Sequence, residues 1–398
     1  MRITLVTSTL GGGGAERVVA TMANHWAAKD WQVTILTTFS GDPASNYALH
    51  PRVAHLEPGS PPFSSERIDP AESTPLLDLI DSCSESERAV LIPQGTRILK
   101  LRRAIIATRP DVVISYMDFN NNCVLAATRD LGLPVIVSEH CDPNHNSIGE
   151  GWNRLRRRLY PDARCVAVLT EESLRFFSSV PGIRGRVIPN PLTPSVFSSS
   201  DEMPRPKNDK TLMAMGRLSI EKGFDLLLSA FSVLAPKRPD WTLEILGEGP
   251  LRGHLESRIQ RLGLSGRVRM PGFTLRPFDR LRHSDLFALS SLCEGFPNAL
   301  LEAMACGLAV VSFDCPSGPR HIIRNGVDGM LVPPRDDRAL AAALDRLMGD
   351  EGERKRLGSR GPEVAQRFGV EKVMRLWEEV ISDCAMSHEE RFRPFVLR

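Results

Sequence analysis

Short apolar runs alternate with stretches of helical period along most of this chain. Ile3–Thr7, Val33–Thr38, Asp111–Tyr116, Pro134–Ser138, Arg164–Leu169 and Arg186–Ile188 have the length and β-branched character of strands buried on both faces. A second set follows at Thr211–Met215, Thr242–Leu246, Arg267–Met270, Leu286–Leu289, Ala309–Phe313 and Gly329–Val332. Helices are predicted at Ala15–Ala28, where Val18, Val19, Met22 and Trp26 recur at helical spacing, and at Gly95–Arg109, Asn120–Leu131 and Phe224–Leu234. Others begin near Pro297 and at Ser317-Gly318-Pro319-Arg320, and the chain closes with Asp336–Met348, Glu351–Phe368 and Val370–Cys384. Strands alternating with helices predict α/β architecture built on parallel sheets.

Two stretches break the alternation. Gly41 to Gln94 is rich in Pro, Ser and Asp and weakly periodic except around Leu76–Ile80, so it reads as a long excursion outside the core. Pro189 to Asn208 is rich in Pro, Ser and charge, as an interdomain linker is. The expected organisation is a first domain at 1–190, a linker at 191–209, a second domain at 210–370, and a final helix with a patternless tail at 371–398.

Composition narrows the class. A chain of 398 residues exceeds one core at about 150 residues per domain. The net charge of +2 names no partner, and none among nucleic acids is expected, but basic residues cluster at Arg97–Arg109 and Arg154–Arg158. Eight cysteines without C-x-x-C spacing favour a reduced cytosol and spell no zinc site. The N-terminus turns polar at Thr7-Ser8-Thr9, too soon for a signal peptide, and no stretch reaches the about 18 apolar residues of a spanning helix. A cytoplasmic protein, soluble or peripheral to a membrane, is expected.

The densest chemistry lies between Asp285 and Phe313, where Glu294-Gly295-Phe296-Pro297-Asn298-Ala299 joins a strand to a helix and Glu302 follows. A helix start beyond a strand's carboxyl edge favours a phosphate. Carboxylates beside a phosphate repel it, so Glu294 and Glu302 make sense as partners of sugar hydroxyls, which suggests a nucleotide-sugar. Arg217 and Lys222, between a strand and a helix, can grip a diphosphate; the plain alternative is a surface salt bridge with Glu221. Glycines 11 to 14 let backbone approach a ligand or merely turn the chain; they form neither G-x-G-x-x-G nor a P-loop. Glu139-His140-Cys141-Asp142 stands at a carboxyl strand end, where His140 is a ligand contact or a loop histidine bonded to backbone, and the irregular set with His145 argues against a metal. Arg97, Lys100, Arg102 and Arg103 make the helix at Gly95–Arg109 amphipathic and basic, suited to solvent or to an anionic lipid surface. Trp152–Tyr160, with Arg156 and Arg157, reads as a second segment for lipid headgroups.

Glu294 and Glu302 within EGFPNALLEAMACGLAVV, with GGGGAERV, GRLSIEKG and SGPRHII in the same order, resemble the retaining glycosyltransferases of family 4 over nearly the whole chain. That resemblance implies the GT-B fold, two facing Rossmann-like doubly wound parallel-sheet domains, with the last helix returning to the first and Trp377 as its anchor. It implies that Glu294 binds the donor sugar's hydroxyls, Glu302 the ribose diol, Arg217 and Lys222 the diphosphate, and His140 the sugar. Gly13 and Gly14 lie in the loop that closes over the phosphates. Gly247–Pro250 and Pro271–Thr274 hold the nucleoside, with Gly272 and the backbone of Phe273 at the base. Relatives that extend lipid-linked glycans use a basic helix, here Gly95–Arg109, to read the acceptor's pyrophosphate. The expected reaction is transfer from a UDP-hexose or UDP-N-acetylhexosamine to a glycan hydroxyl, with retention, on a polyprenyl-diphosphate-linked acceptor at the cytoplasmic membrane face. With no D-x-D triplet, no metal cofactor is expected. An epimerase of the same fold and a nucleotide-sugar-binding protein without turnover are the rival readings.

Overall fold

The computed structural model describes residues 1–39, 46–58, 70–193, 196 and 210–391. They fall into two compact units, Met1–Pro189 with the chain from Val373 onward, and Asn190–Lys372.

The first unit is built on seven strands, β1 (Arg2–Thr7), β2 (Gln32–Thr37), β3 (Val53–Leu56), β4 (Val112–Tyr116), β5 (Val135–Ser138), β6 (Cys165–Val168) and β7 (Gly185–Val187). They lie in the order β3-β2-β1-β4-β5-β6-β7, every neighbouring pair parallel. The chain winds outward from β1 in one direction and then from β4 in the other, so the carboxyl ends of β1 and β4 flank the switch point where open α/β sheets bind ligands. β1, β4, β5 and β6 are buried almost throughout, which is why they read as unbroken apolar runs. The helix Gly14–Ala28 buries Val18, Val19, Met22 and Trp26 as its spacing predicts. From the closing helix, Val370–Arg391, Trp377 is 3% exposed, and its ring centroid lies 6.4 Å from that of Tyr116 at the end of β4.

The excursion expected at Gly41–Gln94 is corrected. β3 pairs with β2 from Val33–Val53 to Leu36–Leu56, and the helices Pro70–Ser82 and Glu85–Leu91 place Leu76, Leu79 and Leu91 in the core. An edge strand of four residues with its middle two exposed, and short helices with polar outer faces, are too brief to write a clear apolar period. A capping box at Ser84 and Glu87 starts the second of these helices. Residues 40–45 and 59–69 of this stretch lie outside the described residues, as does most of the linker expected at 191–209.

The second unit has six parallel strands, β8 (Lys210–Met215), β9 (Trp241–Leu246), β10 (Val268–Gly272), β11 (Leu286–Leu289), β12 (Val310–Phe313) and β13 (Met330–Val332), in the order β10-β9-β8-β11-β12-β13. Its switch point lies between β8 and β11. The helices Phe224–Leu234 and Asp337–Gly349 bury Leu227, Leu228, Phe231, Leu340, Leu344 and Leu347 against this sheet. The single helix expected at Glu351–Phe368 is broken: Pro362 has no N–H to continue the ladder, and Glu351–Arg360 gives way to a 3₁₀ turn and then Val364–Phe368.

Candidate active site

At the switch point of the second unit the loops after β8 and β11 are sewn together by hydrogen bonds to main-chain carbonyls. Leu292 N donates to Glu221 O at 2.8 Å, and Ser290 Oγ to Lys222 O at 2.9 Å. Gly223 sits between them at φ +58°, where a Cβ would meet Ser290 O at 2.2 Å, so only glycine fits. The loop after β9 joins the same weave: Leu218 N donates to Glu248 O and Gly216 N to Leu246 O, and a Cβ on Gly249 would strike Leu218 O at 2.5 Å.

This weave delivers Lys222 Nζ to within 2.7 Å of Glu294 Oε1, and Ser291 Oγ donates to the same oxygen at 2.6 Å. Lys222 thus pairs with Glu294 and not with Glu221, whose carboxylate accepts from Ser219 Oγ. Burial alone would lower the Lys222 pKa, but the facing Glu294 carboxylate outweighs it and holds the ammonium above its ordinary value. Arg217 is exposed at the mouth of the same loop. The helix after Glu294 runs Asn298–Ala305, so Pro297 precedes it as the capping residue and Asn298 and Ala299 form its first turn. Phe296 is buried with its ring 5.2 Å from Phe368, and Gly295 O accepts from Ser317 Oγ. Asn298 Oδ1 accepts from Asn190 Nδ2 at 2.9 Å. Glu302, 2% exposed, lies deeper on the same helix. Gly272 belongs to the end of β10, with φ +93°, and its carbonyl accepts from Gly247 N; Phe273 beyond it is 46% exposed. Spacing alone did not point to Ser291; its signal was the serine pair, Ser290-Ser291, closing β11 at its carboxyl end.

In the first unit Gly13 caps the helix that Gly14 begins, and Tyr47 Oη donates to Gly13 O at 2.7 Å. The Glu16 carboxylate lies 2.0 Å from where a Gly13 Cβ would be, so an anion at this helix start requires that side chain to swing away. His140 is half-buried after β5, its Nε2 3.1 Å from Ser138 Oγ and its ring centroid 5.5 Å from that of Tyr116. Burial pushes its pKa down to about 4, leaving a neutral imidazole near pH 7. His145 gives its Nδ1 to Asp142 at 2.7 Å. Among the described residues no group of three or more His, Cys, Asp or Glu is placed to hold a metal ion.

The basic residues divide. Arg97 and Lys100 line a cavity of about 380 Å³ with Thr37, Thr38, Phe39 and Thr96, and the Arg97 guanidinium lies 4.5 Å from the Phe39 ring centroid. Arg102 is bidentate to Asp130 at 2.5 and 2.8 Å, and Arg103 bonds Glu72 at 2.7 Å, so their charge is met within the protein. Arg157 is exposed. Arg156 is a correction: it is 3% exposed, packed over Phe176 and Phe177, and meets no surface. The aromatic part of that segment also turns inward, with Tyr160 fully buried and Trp152 packed on Phe119. No helix among the described residues is long and apolar enough to cross a membrane.

Two family models match the chain, the glycosyl transferase 4-like domain over residues 13–191 and glycosyl transferases group 1 over residues 197–364. The chain is 30% identical to an exopolysaccharide phosphotransferase of Streptomyces coelicolor, over 95% of its own length and 40% of that protein's. It is 26% identical to the Campylobacter jejuni GalNAc-alpha-(1->4)-GalNAc-alpha-(1->3)-diNAcBac-PP-undecaprenol alpha-1,4-N-acetyl-D-galactosaminyltransferase, over 96% of this chain and 99% of that one. It therefore spans less than half of the first relative and nearly all of the second. Among solved structures, Anabaena HepE in complex with UDP-glucose superposes with a TM-score of 0.76 at 20% identity, over 96% of this chain and 100% of that one. Two parallel-sheet units with the GT-B fold, the first matched by the 4-like model and the second by the group 1 model, place the chain among the glycosyltransferases.

Proposed function

We propose that the protein transfers a sugar from a UDP-hexose or UDP-N-acetylhexosamine to a hydroxyl of a polyprenyl-diphosphate-linked glycan, with retention, at the cytoplasmic face of a membrane. The observation that carries this reading is the Lys222–Glu294 pair at the β8/β11 switch point, next to a helix start. A cation there offsets the charge that grows on a departing diphosphate, and the neighbouring carboxylate accepts from sugar hydroxyls. Arg217, exposed on the same loop, is the second cation, and Glu302 the partner of the ribose diol. The neutral imidazole of His140 donates to or accepts from the sugar without adding charge. The sugar's bond to the diphosphate oxygen breaks as the acceptor oxygen bonds to the same carbon on the same face, and the acceptor's proton passes to the departing phosphate oxygen. No metal is needed where Arg217, Lys222 and a helix end hold the diphosphate. The Campylobacter relative's acceptor, a diphospho-undecaprenol glycan by its name, supports the lipid-linked acceptor. The cavity lined by Arg97 and Lys100 is the place proposed for that diphosphate.

The test is a panel of nucleotide-sugars. A true donor raises the melting temperature and, with a diphospho-undecaprenyl glycan, lengthens it by one sugar. An altered sugar formed without acceptor favours the epimerase, and stabilisation with no product in either assay favours a binding protein; both defeat the proposal.

A further inference from the structure

An ion pair in a core is often no more stabilising than apolar side chains of the same volume, so a buried pair asks for a reason. The first unit buries one directly behind His140. Glu139 and Arg156 are 2% and 3% exposed, and their nearest approach, Arg156 Nη1 to Glu139 Oε1, is 3.9 Å. That is too long for a forked bridge. The guanidinium instead gives Nη2 to Asn153 Oδ1 at 2.6 Å and lies 5.3 and 5.5 Å from the ring centroids of Phe176 and Phe177. The Tyr160 hydroxyl donates to Glu139 Oε1, Glu139 N donates to Ala167 O in β6 at 2.9 Å, and Asn121 Nδ2 donates to Ser138 O at 3.1 Å. Groups from three helical segments and one strand thus converge on the last residues of β5. Alternation along a strand sends Glu139 to one side and Ser138 and His140 to the other, in keeping with the 3.1 Å contact between Ser138 Oγ and His140 Nε2.

We infer that Glu139 is a positioning residue for His140, tying the end of β5 to Tyr160, Arg156 and Asn121 so that the imidazole leaves the sheet in one direction. The inference rests on the place proposed for His140 beside the donor sugar. The Glu139 carboxyl is taken up by Tyr160 and faces Arg156, so it acts through them and not on a substrate. Burial pushes its carboxyl up to about 7 against the pull of Arg156, and the Asp118 carboxylate adds to the rise. A protonated carboxyl can donate a hydrogen bond, and the buried Asn121 Oδ1, without a hydrogen-bond partner among the described residues, is an acceptor in the same cluster.

The experiment compares Glu139→Ala, Glu139→Gln and Tyr160→Phe in the full chain, by steady-state kinetics and by nitrogen-15 spectra of the histidine rings, with His140→Asn to assign the resonance. Glu139→Ala is expected to shift the His140 ring nitrogens and lower kcat by about 10²-fold with the donor KM held, since a small misplacement of a contact group costs that much. Glu139→Gln, which keeps an acceptor for the Tyr160 hydroxyl, is expected to restore most of both. A Glu139→Ala protein that melts earlier but keeps the wild-type kcat and His140 resonances overturns the inference. If Glu139→Ala does not fold, Tyr160→Phe carries the comparison, and unchanged His140 resonances there overturn it equally. The spectra need no turnover, so shifted His140 resonances in a protein inactive with every sugar support the anchoring while defeating the proposed reaction.

Discussion

Lys222 has two masters. Its ammonium is held by Glu294, and the diphosphate proposed to bind at the switch point would compete for the same three donors. Removing the whole side chain would strand a carboxylate that is 10% exposed, so Lys222→Gln, which still donates to Glu294, is the cleaner probe. It is expected to stay folded by circular dichroism and to lose about 10²–10³ in transfer rate, as other donors to a developing anion do. Near-normal turnover in a folded Lys222→Gln protein would remove the cation from the mechanism. At Glu139 the titration has a readable sign. Its folded pKa of about 7 lies above the usual carboxyl value, so the folded chain holds a proton that the unfolded chain has released. The resulting stabilisation is full below the unfolded value and fades as pH rises through about 7. Glu139→Gln carries no such titration, so the wild type is expected to lose melting temperature relative to it as pH rises from acid through about 7; a wild type that gains on Glu139→Gln over that range would contradict the assignment.

Among the elements, glycines that sit alike in sequence differ in what surrounds them. Gly223 lies at φ +58° with Ser290 O in the way of any Cβ, whereas Gly253, inside the helix Arg252–Arg261, has nothing within 4 Å. Gly223→Ala is expected to cost about 1–3 kcal/mol in urea unfolding and to cut transfer, because it parts the loops that bring Lys222 to Glu294. Gly253→Ala is expected to gain about 0.5–1 kcal/mol. A Gly223→Ala protein as stable and active as wild type would mean the weave does not hold the site. Every strand of the two sheets but β3, and the strand-to-helix turn that carries Glu294, were legible because buried parallel strands write themselves as apolar runs and such a turn has few solutions. The weave was not, since all its bonds but that of Ser290 Oγ to Lys222 O run between main-chain atoms, which no side chain announces. Nor was β3, a four-residue edge strand whose two middle side chains, Ala54 and His55, are exposed. Arg156 was misread although the chain held the clue: it stands four residues after Trp152 and four before Tyr160, on the stripe shared with Leu155 and Leu159, so helical period puts it inward whatever its charge.

Across the whole molecule, charge met inside the protein does not count toward a surface. Arg102, Arg103 and Arg156 are engaged or buried, which leaves Lys100 and Arg157 among the cations free to meet anionic lipid. At about 1 kcal/mol per cation, docking would be reversible and salt-sensitive. Wild type is expected to float with anionic liposomes at low salt and less at high salt; Lys100→Ser with Arg157→Ser should weaken flotation more than Arg102→Ser with Arg103→Ser. Failure of the wild type to float at low salt would return the acceptor to solution. Transfer is expected to survive EDTA and to give a product of retained anomeric configuration by NMR; rescue by Mn²⁺ or an inverted product would overturn the metal-free, same-face reaction.

Val373, Met374, Trp377, Val380 and Ile381 are buried, yet they belong to the unit that begins at Met1. During synthesis β1 to β7 leave the ribosome first, and the apolar surface that Trp377 will cover stays wet while the whole of Asn190–Lys372 is made. The second unit is contiguous and has no such wait. The half of the chain that is translated first is thus the half that finishes folding last, and a chain cut short between Val332 and Val373 would carry all six strands of the second sheet tethered to an unfinished first unit.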